Sequence, residues 1–295
     1  MGTRVHVEFY VEDDARGDAL IEQVMNEMHR IDHALSSFKQ DSELSKLNRQ
    51  ASSGWVDVSS ELFDLITKAH QMSELTHGAF DITYASVGRY YDYREGLAPD
   101  SATLESAVQA INFLYVERDL ENSRVRYMHP QVYIALGGIA KGHAVDRGLA
   151  ILQAAGISHA SVAAGGDSRI LGDRRGKPWT VGIQHPRDGG KMSAILPLVD
   201  TAVSTSGDYE RYFERDGVRY HHILDPSTGR SATGAWSVTI LGPEATLTDA
   251  LSTSVFVLGP ERGLALIDQL PGIDAIIIDP NGKLLFSAEL SELQP

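Results

Sequence analysis

The chain has 295 residues, of which 42% are hydrophobic and 22% are charged, a balance typical of a globular enzyme with one large domain. Its formal net charge of −14 argues against nucleic acid or an anionic membrane surface as a partner, because both would repel it. Cysteine is absent, which excludes disulfides, thiolate metal sites and a cysteine nucleophile. No apolar run approaches the roughly 20 residues of a membrane span, so none is predicted.

The first quarter of the chain predicts one strand followed by two helices. Residues 5–9 alternate apolar and polar side chains, as on a strand. Apolar residues three and four apart predict an amphipathic helix over residues 15–36. A polar segment at residues 38–48 precedes a second helix over residues 60–76, which Gly78 is expected to stop.

The rest of the chain predicts runs of several strands separated by helices. Residues 99–112 predict a helix and residues 113–136 predict strands. Further strands are predicted at 160–164, 179–183, 195–199, 202–205 and 238–241, helices at 246–257 and 261–270, and a final hairpin at 275–279 and 284–288. Because strands and helices do not alternate one by one, we predict an α+β fold with a mixed or antiparallel sheet and flanking helices. No linker is visible, so residues 1–295 are interpreted as a single domain.

The most informative segment is Ala-Leu-Gly-Gly-Ile-Ala-Lys-Gly-His-Ala-Val-Asp at residues 135–146. An apolar run ends at Gly137 and Gly138, and Lys141 opens a helix with apolar residues three and four apart. Free backbone amides, a helix N-terminus and a cation in the first turn together favour a bound phosphate. The alternative is a tight strand-to-helix turn with a surface lysine. Glycine-rich turns of this kind, considered alone, more often bind no ligand.

A candidate cation site lies on the predicted helix that begins near residue 246. Asp249, Ser252 and Thr253 are spaced i, i+3 and i+4, so their oxygens project from one helix face. Hard oxygen ligands suit Mg²⁺ or Ca²⁺ better than zinc. The alternative is that Asp249 stabilises the nearby helix N-terminus while the two hydroxyl side chains pack into the helix interior.

A candidate general base lies in the segment His-His-Ile-Leu-Asp-Pro-Ser-Thr-Gly at residues 221–229, a strand end that runs into a turn. Histidine has the ordinary pKa best suited to base catalysis near neutral pH. His221 and His222 must point to opposite faces of the strand. Either one of them faces a site, or the pair braces the turn through hydrogen bonds.

Several familiar motifs are missing from the sequence. It has neither G-x-G-x-x-G nor G-x-x-x-x-G-K-[ST], so the dinucleotide-fold and P-loop interpretations both fail. It also lacks the G-x-S-x-G nucleophile elbow. Glycine-rich turns follow two predicted strands, at residues 165–167 and 204–209, and small residues there would let a phosphate approach the backbone closely.

Eight short motifs, in order along nearly the whole chain, resemble those of the ApbE family, the FAD:protein FMN transferases formerly described as thiamine-biosynthesis lipoproteins. They include Asp-Ser-Glu-Leu-Ser-Lys-Leu-Asn at 41–48 and Leu-Gly-Gly-Ile-Ala-Lys-Gly at 136–142. The others lie at residues 1–3, 78–81, 165–167, 205–209, 222–229 and 249–251. The resemblance implies a single ApbE-like domain related to the T-fold.

The resemblance also implies a reaction. FAD binds with Mg²⁺ on its diphosphate, a threonine hydroxyl of a target protein attacks the phosphorus on the FMN side, and AMP leaves. The acceptor threonine belongs to subunits of membrane redox complexes, of the sodium-pumping quinone reductase, Rnf and nitrous-oxide-respiration types. Relatives are commonly periplasmic, with a lipid-anchored or cleaved N-terminus, so a location in or facing the periplasm is expected although no export signal is visible in this chain.

The resemblance assigns roles to individual residues. His222 would take the proton of the threonine hydroxyl. The metal ligands would be Asp249 and Thr253 through their side chains, Gly138 through a backbone oxygen, and Ser252 as a further ligand found in some relatives. The flavin-nucleotide contacts would be Met1, Phe38, Ala79, Phe80, Asp81, Lys141 and Leu224. For Phe38, stacking on a ring of FAD competes with ordinary core packing as an interpretation.

One residue departs from the family pattern, and two other activities compete with transfer. The family usually has Asp directly before Leu-Gly-Gly, as a nucleotide contact, where this chain has Ala135; this puts FAD affinity in question more than metal binding. An FAD pyrophosphatase would use water and release FMN and AMP, as in relatives with a small polar residue at the position of Phe38. A protein that holds FAD without turnover is the third hypothesis.

Overall fold

The structure is a computed structural model that describes residues 2–292. Its helices within that range are α1 (Asp14–Leu35), α2 (Glu43–Gln50), α3 (Ser60–Leu75), α4 (Ala85–Gly88), α5 (Ser101–Val108), α6 (Ala140–Ala154), α7 (Ala245–Ile267) and α8 (Ala288–Glu292). Short 3-10 turns lie at Ala51–Ser53, Ile82–Tyr84 and Phe113–Tyr115. The long helices α1, α3, α6 and α7 carry most of the helical core residues.

The strands are mostly short and follow one another closely after α6. The first eight are β1 (Val5–Phe9), β2 (Val56–Asp57), β3 (Val116–Asp119), β4 (Arg124–Tyr127), β5 (Ala160–Ala164), β6 (Asp167–Leu171), β7 (Trp179–His185) and β8 (Asp188–Leu198). The others are β9 (Ala202–Gly207), β10 (Tyr212–Arg215), β11 (Val218–His221), β12 (Leu224–Asp225), β13 (Arg230–Ser231), β14 (Ser237–Gly242), β15 (Asp274–Ile278) and β16 (Leu284–Phe286).

The main sheet of the described residues has seven strands in the order β1-β5-β6-β9-β14-β15-β16. Each of its neighbouring pairs is antiparallel. Smaller antiparallel ribbons are formed by β2-β4-β3, β7-β8, β10-β11 and β12-β13. The predicted α+β fold with an antiparallel sheet and flanking helices is therefore confirmed.

Helices cover one face of the main sheet and a hairpin covers part of the other. α6 lies against β5 and β6, α7 lies against β9 and β14, and α1 packs on α6. On the opposite face, Ile183 of the β7–β8 hairpin packs with Val203, Leu241 and Ile276 of the sheet. Buried apolar side chains on both faces stabilise the sheet through the area they remove from water. The central strands β9 and β14 are thus held between two layers.

Helix α7 is apolar enough to have the composition of a membrane-crossing helix. It has 23 residues and a window of mean hydropathy 1.2, but half of that window is buried inside the fold. Its backbone also breaks at Gly259, which has φ 76° and is followed by Pro260. This break divides the helix where the sequence predicts two separate helices. Because α7 packs on the sheet and on α6, its apolar character is explained by its place in the core.

Most predicted elements are confirmed, but the segment before the twin glycines is not a strand. Residues 132–136 form no regular secondary structure, and Phe113–Tyr115 is a 3-10 turn. The backbone of Ile134 is hydrogen-bonded to the side chain of Asn48 rather than to another strand. The Asn48 side chain donates to the Ile134 carbonyl and accepts from the Ile134 backbone amide, each at 2.9 Å. The polar segment at 38–48 also contains the start of α2, which Ser42 caps by accepting from Ser45 N at 2.9 Å.

Candidate functional site

The site is built where the N-terminal ends of α6 and α7 cross. The carboxylate of Asp146, on α6, accepts hydrogen bonds from the amides of Ala245 and Thr246 at 2.9 and 2.8 Å. It therefore caps α7 from a neighbouring helix, since Glu244 at the N-cap position makes no side-chain cap of its own. Gly142 permits the close crossing, because a Cβ there would lie 2.1 Å from the carbonyl oxygen of Ala245.

Asp249 and Lys141 meet at this crossing as an ion pair in which the carboxylate is buried and the lysine is partly exposed. Lys141 Nζ lies 2.9 Å from Asp249 Oδ1 and 2.7 Å from Asp167 Oδ2. The amide of Gly142 donates to Asp249 Oδ2 at 3.0 Å. Both carboxylates are only 2% exposed, so a single ammonium group compensates two buried negative charges. The ammonium group of Lys141 is therefore held between two elements of the fold, because Asp167 comes from β6 and Asp249 from α7.

Burial and charge act in opposite directions on this cluster. Burial lowers the pKa of Lys141, but Asp167 and Asp249 outweigh it and raise that pKa above its usual value. Lys141 is therefore a fixed cation at neutral pH. Burial and the nearby Asp167 raise the pKa of Asp249, while Lys141 and the Gly142 amide lower it in part. The cluster has an excess of negative charge that a further cation would relieve.

Hydroxyl groups lie beside Asp249 on the same helix, as the spacing predicts. Ser206 Oγ of β9 lies 2.8 Å from Ser252 Oγ and 3.4 Å from Thr253 Oγ1. Ser252 Oγ also donates to the carbonyl of Asp249 at 2.9 Å, so its hydroxyl is already engaged within the helix. A Cβ on Gly138 would lie 3.1 Å from Thr253 Oγ1, which means that the backbone of Gly138 lies directly against that hydroxyl.

The arrangement fits a hard divalent cation. Among residues 2–292, no group of three or more His, Cys, Asp or Glu side chains is placed to hold a metal ion. A cation here would therefore depend on hydroxyl and carbonyl oxygens beside the carboxylate, a donor set that suits Mg²⁺ and leaves positions for ligand oxygens. The absence of a side chain at Gly138 supports this fit, because a Cβ there would crowd the hydroxyl of Thr253 at 3.1 Å.

The two adjacent histidines have different surroundings. His221 is buried, its Nε2 lies 2.8 Å from the carbonyl of Ala232, and its ring meets Phe256 edge-on at 5.6 Å. His222 is half-buried, and its Nδ1 is shielded from solvent without a hydrogen-bond partner among the described residues. The alternatives left open by the sequence therefore separate: His221 braces the turn, and His222 keeps a free ring nitrogen.

His222 is neutral in this environment. Burial lowers its pKa to about 3, and the charges of Arg211, of His221 when protonated, and of Lys141 contribute in the same direction. Burial and these neighbouring charges together keep the imidazole uncharged. A neutral imidazole can accept a proton, which is the state required of a general base.

Among the expected flavin contacts that the structure describes, Phe38 is the most exposed to solvent. Its side chain is 89% exposed, so the alternative of core packing is wrong. An exposed phenyl ring has no partner in the fold and is free to stack on a planar ligand. The neighbouring Ser37 carbonyl is bound by Tyr133 Oη at 3.0 Å, which holds this part of the chain in place.

The segment at residues 79–81 is tied into the fold. Phe80 is buried, and one of its ring carbons lies 3.2 Å from where a Cβ of Gly138 would be. Asp81 accepts from Thr83 N and from Phe113 N, each at 2.8 Å, so its carboxylate already has backbone donors. Burial raises the pKa of Asp81, and these donors lower it in part. Their roles as flavin contacts stay predictions.

The remaining expected contacts are spread around the same region. Leu224 is buried with Val87 and Leu104 in a small apolar cluster against which Tyr84 packs. Ala135 is half-buried and its amide donates to the carbonyl of Ile82 at 3.0 Å. Met1 lies outside the described residues. The structure brings Lys141, Gly138, Asp249, Ser252 and Thr253 together, whereas His222 makes no hydrogen bond with them among residues 2–292 and its role as the base stays a prediction.

Several residues of the site were not singled out from the sequence. Asp146 lies at the end of the segment 135–146, but an isolated Asp on a helix gives no sign that it caps another helix 99 residues later. Asp167 was noted only as part of a glycine turn, and Ser206 only as part of another. Tyr84 was missed; its hydroxyl lies 3.3 Å from where a Cβ of Gly137 would be.

Comparison with known proteins gives one family and consistent relatives. The model of the ApbE family matches residues 1–277. The FAD:protein FMN transferase of Treponema pallidum is 35% identical, over 98% of this chain and 85% of that protein. The FAD:protein FMN transferase of Vibrio cholerae is 32% identical, over 96% of this chain and 87% of that protein.

Solved structures show the same fold. The crystal structure of the ApbE protein of Thermotoga maritima superposes with a TM-score of 0.89 at 37% identity, covering 100% of this chain and 96% of that one. The flavin transferase ApbE of Vibrio cholerae superposes with a TM-score of 0.88 at 29% identity, covering 99% of this chain and 96% of that one. The similarity therefore extends through the whole fold rather than through a shared core alone.

Proposed function

Because the chain belongs to the ApbE family, we propose that it is an FAD:protein FMN transferase, for which FAD is the substrate and a protein is the acceptor. One structural observation carries the proposal. Lys141, Asp249 and Thr253 meet beside the backbone of Gly138. A cation, a carboxylate and a hydroxyl beside a glycine-rich helix N-terminus are groups that can bind the diphosphate of FAD together with a metal ion, and the neutral ring of His222 is the proposed base.

The proposed acceptor group is a threonine hydroxyl. Its oxygen forms a bond to the phosphorus on the FMN side of FAD, the bond from that phosphorus to the bridging oxygen breaks, and AMP leaves with the electron pair. The hydroxyl proton goes to His222, whose Nδ1 has no hydrogen-bond partner among the described residues. The imidazole is neutral before the reaction, so a ring nitrogen has a lone pair that can accept this proton in the transition state.

Magnesium is the proposed cofactor. Asp249 and Thr253 would hold it through their side chains and Gly138 through a backbone oxygen, with Ser252 beside them. When bound, Mg²⁺ neutralises negative charge on the diphosphate oxygens. Lys141 stays charged because of its two carboxylate neighbours, so it adds a fixed positive charge and holds Asp249 in place for the cation.

The flavin nucleotide is proposed to bind along the side of the cleft formed by residues 79–81, Lys141 and Leu224. Phe38, with its exposed ring, would stack on a ring system of FAD. We further propose that the acceptor belongs to a membrane redox complex and that the reaction takes place in or facing the periplasm. These two proposals are supported by the family resemblance alone.

The test uses the purified chain, FAD, MgCl₂ and an acceptor protein that carries the candidate threonine. The expected result is a fluorescent flavin band on the acceptor that survives denaturing electrophoresis, with one AMP released per flavin attached. Replacement of the acceptor threonine by valine is the matched control and should abolish the band. FMN and AMP formed without acceptor would show a hydrolase instead, and FAD bound without turnover would show a carrier.

A second arm assigns the base. His222→Ala should abolish transfer while FAD remains bound, because the ring contributes a proton acceptor rather than a phosphate contact. His221→Ala offers no matched control, since it removes a buried brace. Retained transfer in the His222→Ala variant would remove His222 from the catalytic role without affecting the assignment of the reaction.

A further inference from the structure

The end of β9 and the segment that follows it connect the two parts of the proposed reaction site. Ser206 Oγ lies 2.8 Å from Ser252 Oγ and 3.4 Å from Thr253 Oγ1, the hydroxyls proposed to lie at the cation. A few residues further along the chain, the carbonyl of Arg211 accepts a hydrogen bond from the amide of His222 at 3.2 Å. The position of this segment therefore sets where the proposed base lies relative to the proposed cation.

Asp208 ties this segment to the neighbouring hairpin. Its carboxylate is buried and accepts two hydrogen bonds from the guanidinium group of Arg187, one on each oxygen and both at 2.6 Å. Arg187 lies in the connection between β7 and β8. A two-pronged contact between an arginine and a carboxylate fixes the orientation of both groups as well as their distance.

Trp236 holds the same pair against the main sheet. The guanidinium carbon of Arg187 lies 4.2 Å from the centroid of the Trp236 ring, which is a cation–π contact. The amide of Asp208 donates to the carbonyl of Trp236 at 3.1 Å, and the amide of Trp236 donates to the carbonyl of Ile278 on β15 at 2.8 Å. Asp208 is thus anchored both through its side chain and through its backbone.

A second arginine connects Asp208 to the strand that leads to the proposed base. Arg219 lies on β11, three residues before His222, and its Nη1 lies 3.5 Å from Asp208 Oδ1. Arg219 also binds Glu214 on β10 at 2.8 Å. The carboxylate of Asp208 therefore contacts both the β7–β8 hairpin and the β10–β11 ribbon.

These contacts are separate from the groups proposed to bind the diphosphate. Lys141 and Asp249 are held by each other, by the Gly142 amide and by β6. Among residues 2–292, neither Arg187 nor Asp208 makes a hydrogen bond or ion pair with Lys141 or Asp249. Loss of the Arg187–Asp208 pair would therefore displace the base relative to the cation while the diphosphate-binding groups stay in place.

We propose that Asp208 is a positioning residue, which through Arg187 holds His222 at the distance from the cation that transfer requires. The inference rests on the proposed function. The threonine oxygen must approach both the phosphorus and the base, and a misplacement of about 1 Å can lower a rate about 100-fold. Asp208 and Arg187 take no part in the bonds that form and break, and the hydroxyl proton goes to His222.

The test compares Arg187→Gln and Arg187→Lys with Arg126→Gln in the full chain. Arg126 is the matched control, because it also binds a carboxylate, that of Glu117 at 2.6 Å, and lies 4.5 Å over the ring of a tryptophan, Trp55. It belongs to the separate β2-β4-β3 ribbon. Urea unfolding establishes that each variant is folded under the conditions of the assay.

Two measurements separate positioning from a general loss of stability. FAD titration in MgCl₂, followed by flavin fluorescence, should give an affinity within about twofold of wild type for every variant. Transfer at saturating FAD should fall about 10- to 100-fold in Arg187→Gln and stay unchanged in Arg126→Gln. Arg187→Lys should recover part of the rate, because an ammonium group keeps the charge without the two-pronged contact.

Two results of these measurements would overturn the proposal. One is a transfer rate in Arg187→Gln within about twofold of the Arg126→Gln control. The other is an FAD affinity in Arg187→Gln that falls as far as the rate does, because the substitution would then disturb the whole site rather than the position of the base.

Amide hydrogen exchange gives a readout that needs no flavin transfer. Exchange in residues 209–222, measured by mass spectrometry, should be about tenfold faster in Arg187→Gln and unchanged in Arg126→Gln, because the ribbon loses an anchor. Equal exchange in the two variants would also overturn the proposal. If the wild-type protein transfers no flavin, the proposed function fails, and the exchange comparison still decides whether Arg187 and Asp208 hold the ribbon.

Discussion

His222 shows how far residue types and spacing can lead and where they stop. The pair His221 and His222 predicts that one imidazole faces a site, because neighbours on a strand point in opposite directions. Which one does so depends on Ala232 and Phe256, which come from other parts of the chain and hold His221. The environment of His222 is likewise set by residues far from it in sequence, so its lowered pKa is not predictable from the sequence.

The lowered pKa of His222 predicts a pH-dependent stability. Its folded pKa of about 3 is below the unfolded value near 6.5, so the unfolded chain binds more protons between these values. The contribution of this residue is complete above pH 6.5 and falls as the pH is lowered toward 3. At pH 5, the loss from this one group is about 2 kcal/mol.

His222→Asn removes this titration while it keeps a neutral polar side chain. Urea unfolding of both proteins at pH 7 and pH 5 measures the effect, because other titrating groups are common to the two chains. The difference in free energy of unfolding, variant minus wild type, should be about 2 kcal/mol more positive at pH 5 than at pH 7, because only wild type loses the contribution of this group. An equal difference at the two pH values would show that His222 is not held neutral by the fold.

Replacement of Phe38 is expected to weaken FAD binding without lowering the stability of the fold. Its ring is 89% exposed, so Phe38→Ser should change the free energy of unfolding by less than about 0.5 kcal/mol. FAD affinity should fall by about 1–3 kcal/mol if the ring stacks on the ligand. Leu120→Ser, at a position 72% exposed in the β3–β4 connection, is the control that should leave FAD affinity unchanged.

The two outcomes for Phe38→Ser lead to different conclusions. Weaker FAD binding together with faster release of FMN and AMP into solution would support the idea that an aromatic residue here limits hydrolysis. Unchanged FAD affinity in fluorescence titration would mean that the exposed ring has another purpose, such as contact with the acceptor protein.

Helices α6 and α7 were predictable as helices but not as a crossing pair. The sequence predicts the start of α6 at Lys141, one residue from the observed Ala140, and two helices at 246–257 and 261–270 where α7 lies, since each buries one apolar face. The crossing depends on Gly142, which lies close against the carbonyl of Ala245, and on Asp146, which accepts a hydrogen bond from the amide of Ala245. A periodic pattern says which face is buried but not which partner buries it, so the cap from Asp146 to Ala245 could not be read from the sequence.

Gly142→Ala tests this crossing. The added Cβ would lie 2.1 Å from the carbonyl oxygen of Ala245, so the two helices would have to separate and the hydrogen bond from the Gly142 amide to Asp249 would be strained. We expect a loss of roughly 1–3 kcal/mol in the free energy of unfolding, together with weaker Mg²⁺ binding. Urea unfolding measures the first effect and calorimetric Mg²⁺ titration in the presence of FAD measures the second.

Gly190→Ala is the matched control for that substitution. Gly190 lies on β8, has an ordinary φ, and would place its Cβ 3.6 Å from the nearest atom, an Asp188 oxygen. Its free energy of unfolding should stay within about 0.5 kcal/mol of wild type. Wild-type stability in Gly142→Ala would mean that the helices adjust freely and that the crossing does not fix the position of Asp249.

The assembly of the site from distant segments is a property of the sheet order. Asp167 on β6, Ser206 on β9 and Asp249 on α7 come together because β6 and β9 are neighbours and α7 lies across β9. Strand pairs separated by tens of residues leave no local pattern in the sequence. The ordered family motifs still indicated the right segments, whereas Asp167 as a partner of Lys141 emerged only from the fold.

The coupling of ligand binding to folding gives a prediction for the intact chain. A ligand that binds only the folded state stabilises it by about 2.7 kcal/mol at 100 times its dissociation constant. FAD with MgCl₂ should therefore raise the unfolding temperature, and EDTA should abolish most of the rise if the cation at Asp249 holds the diphosphate. Asp249→Asn should lose the rise even with MgCl₂ present, because one negative ligand and one partner of Lys141 are removed together.

Asp64→Asn, at an exposed position on α3, changes the net charge equally and should keep the full rise. If FAD with MgCl₂ raised the unfolding temperature equally in Asp249→Asn and Asp64→Asn, the cation would bind elsewhere. The Mg²⁺ site would then not lie where α6 and α7 cross.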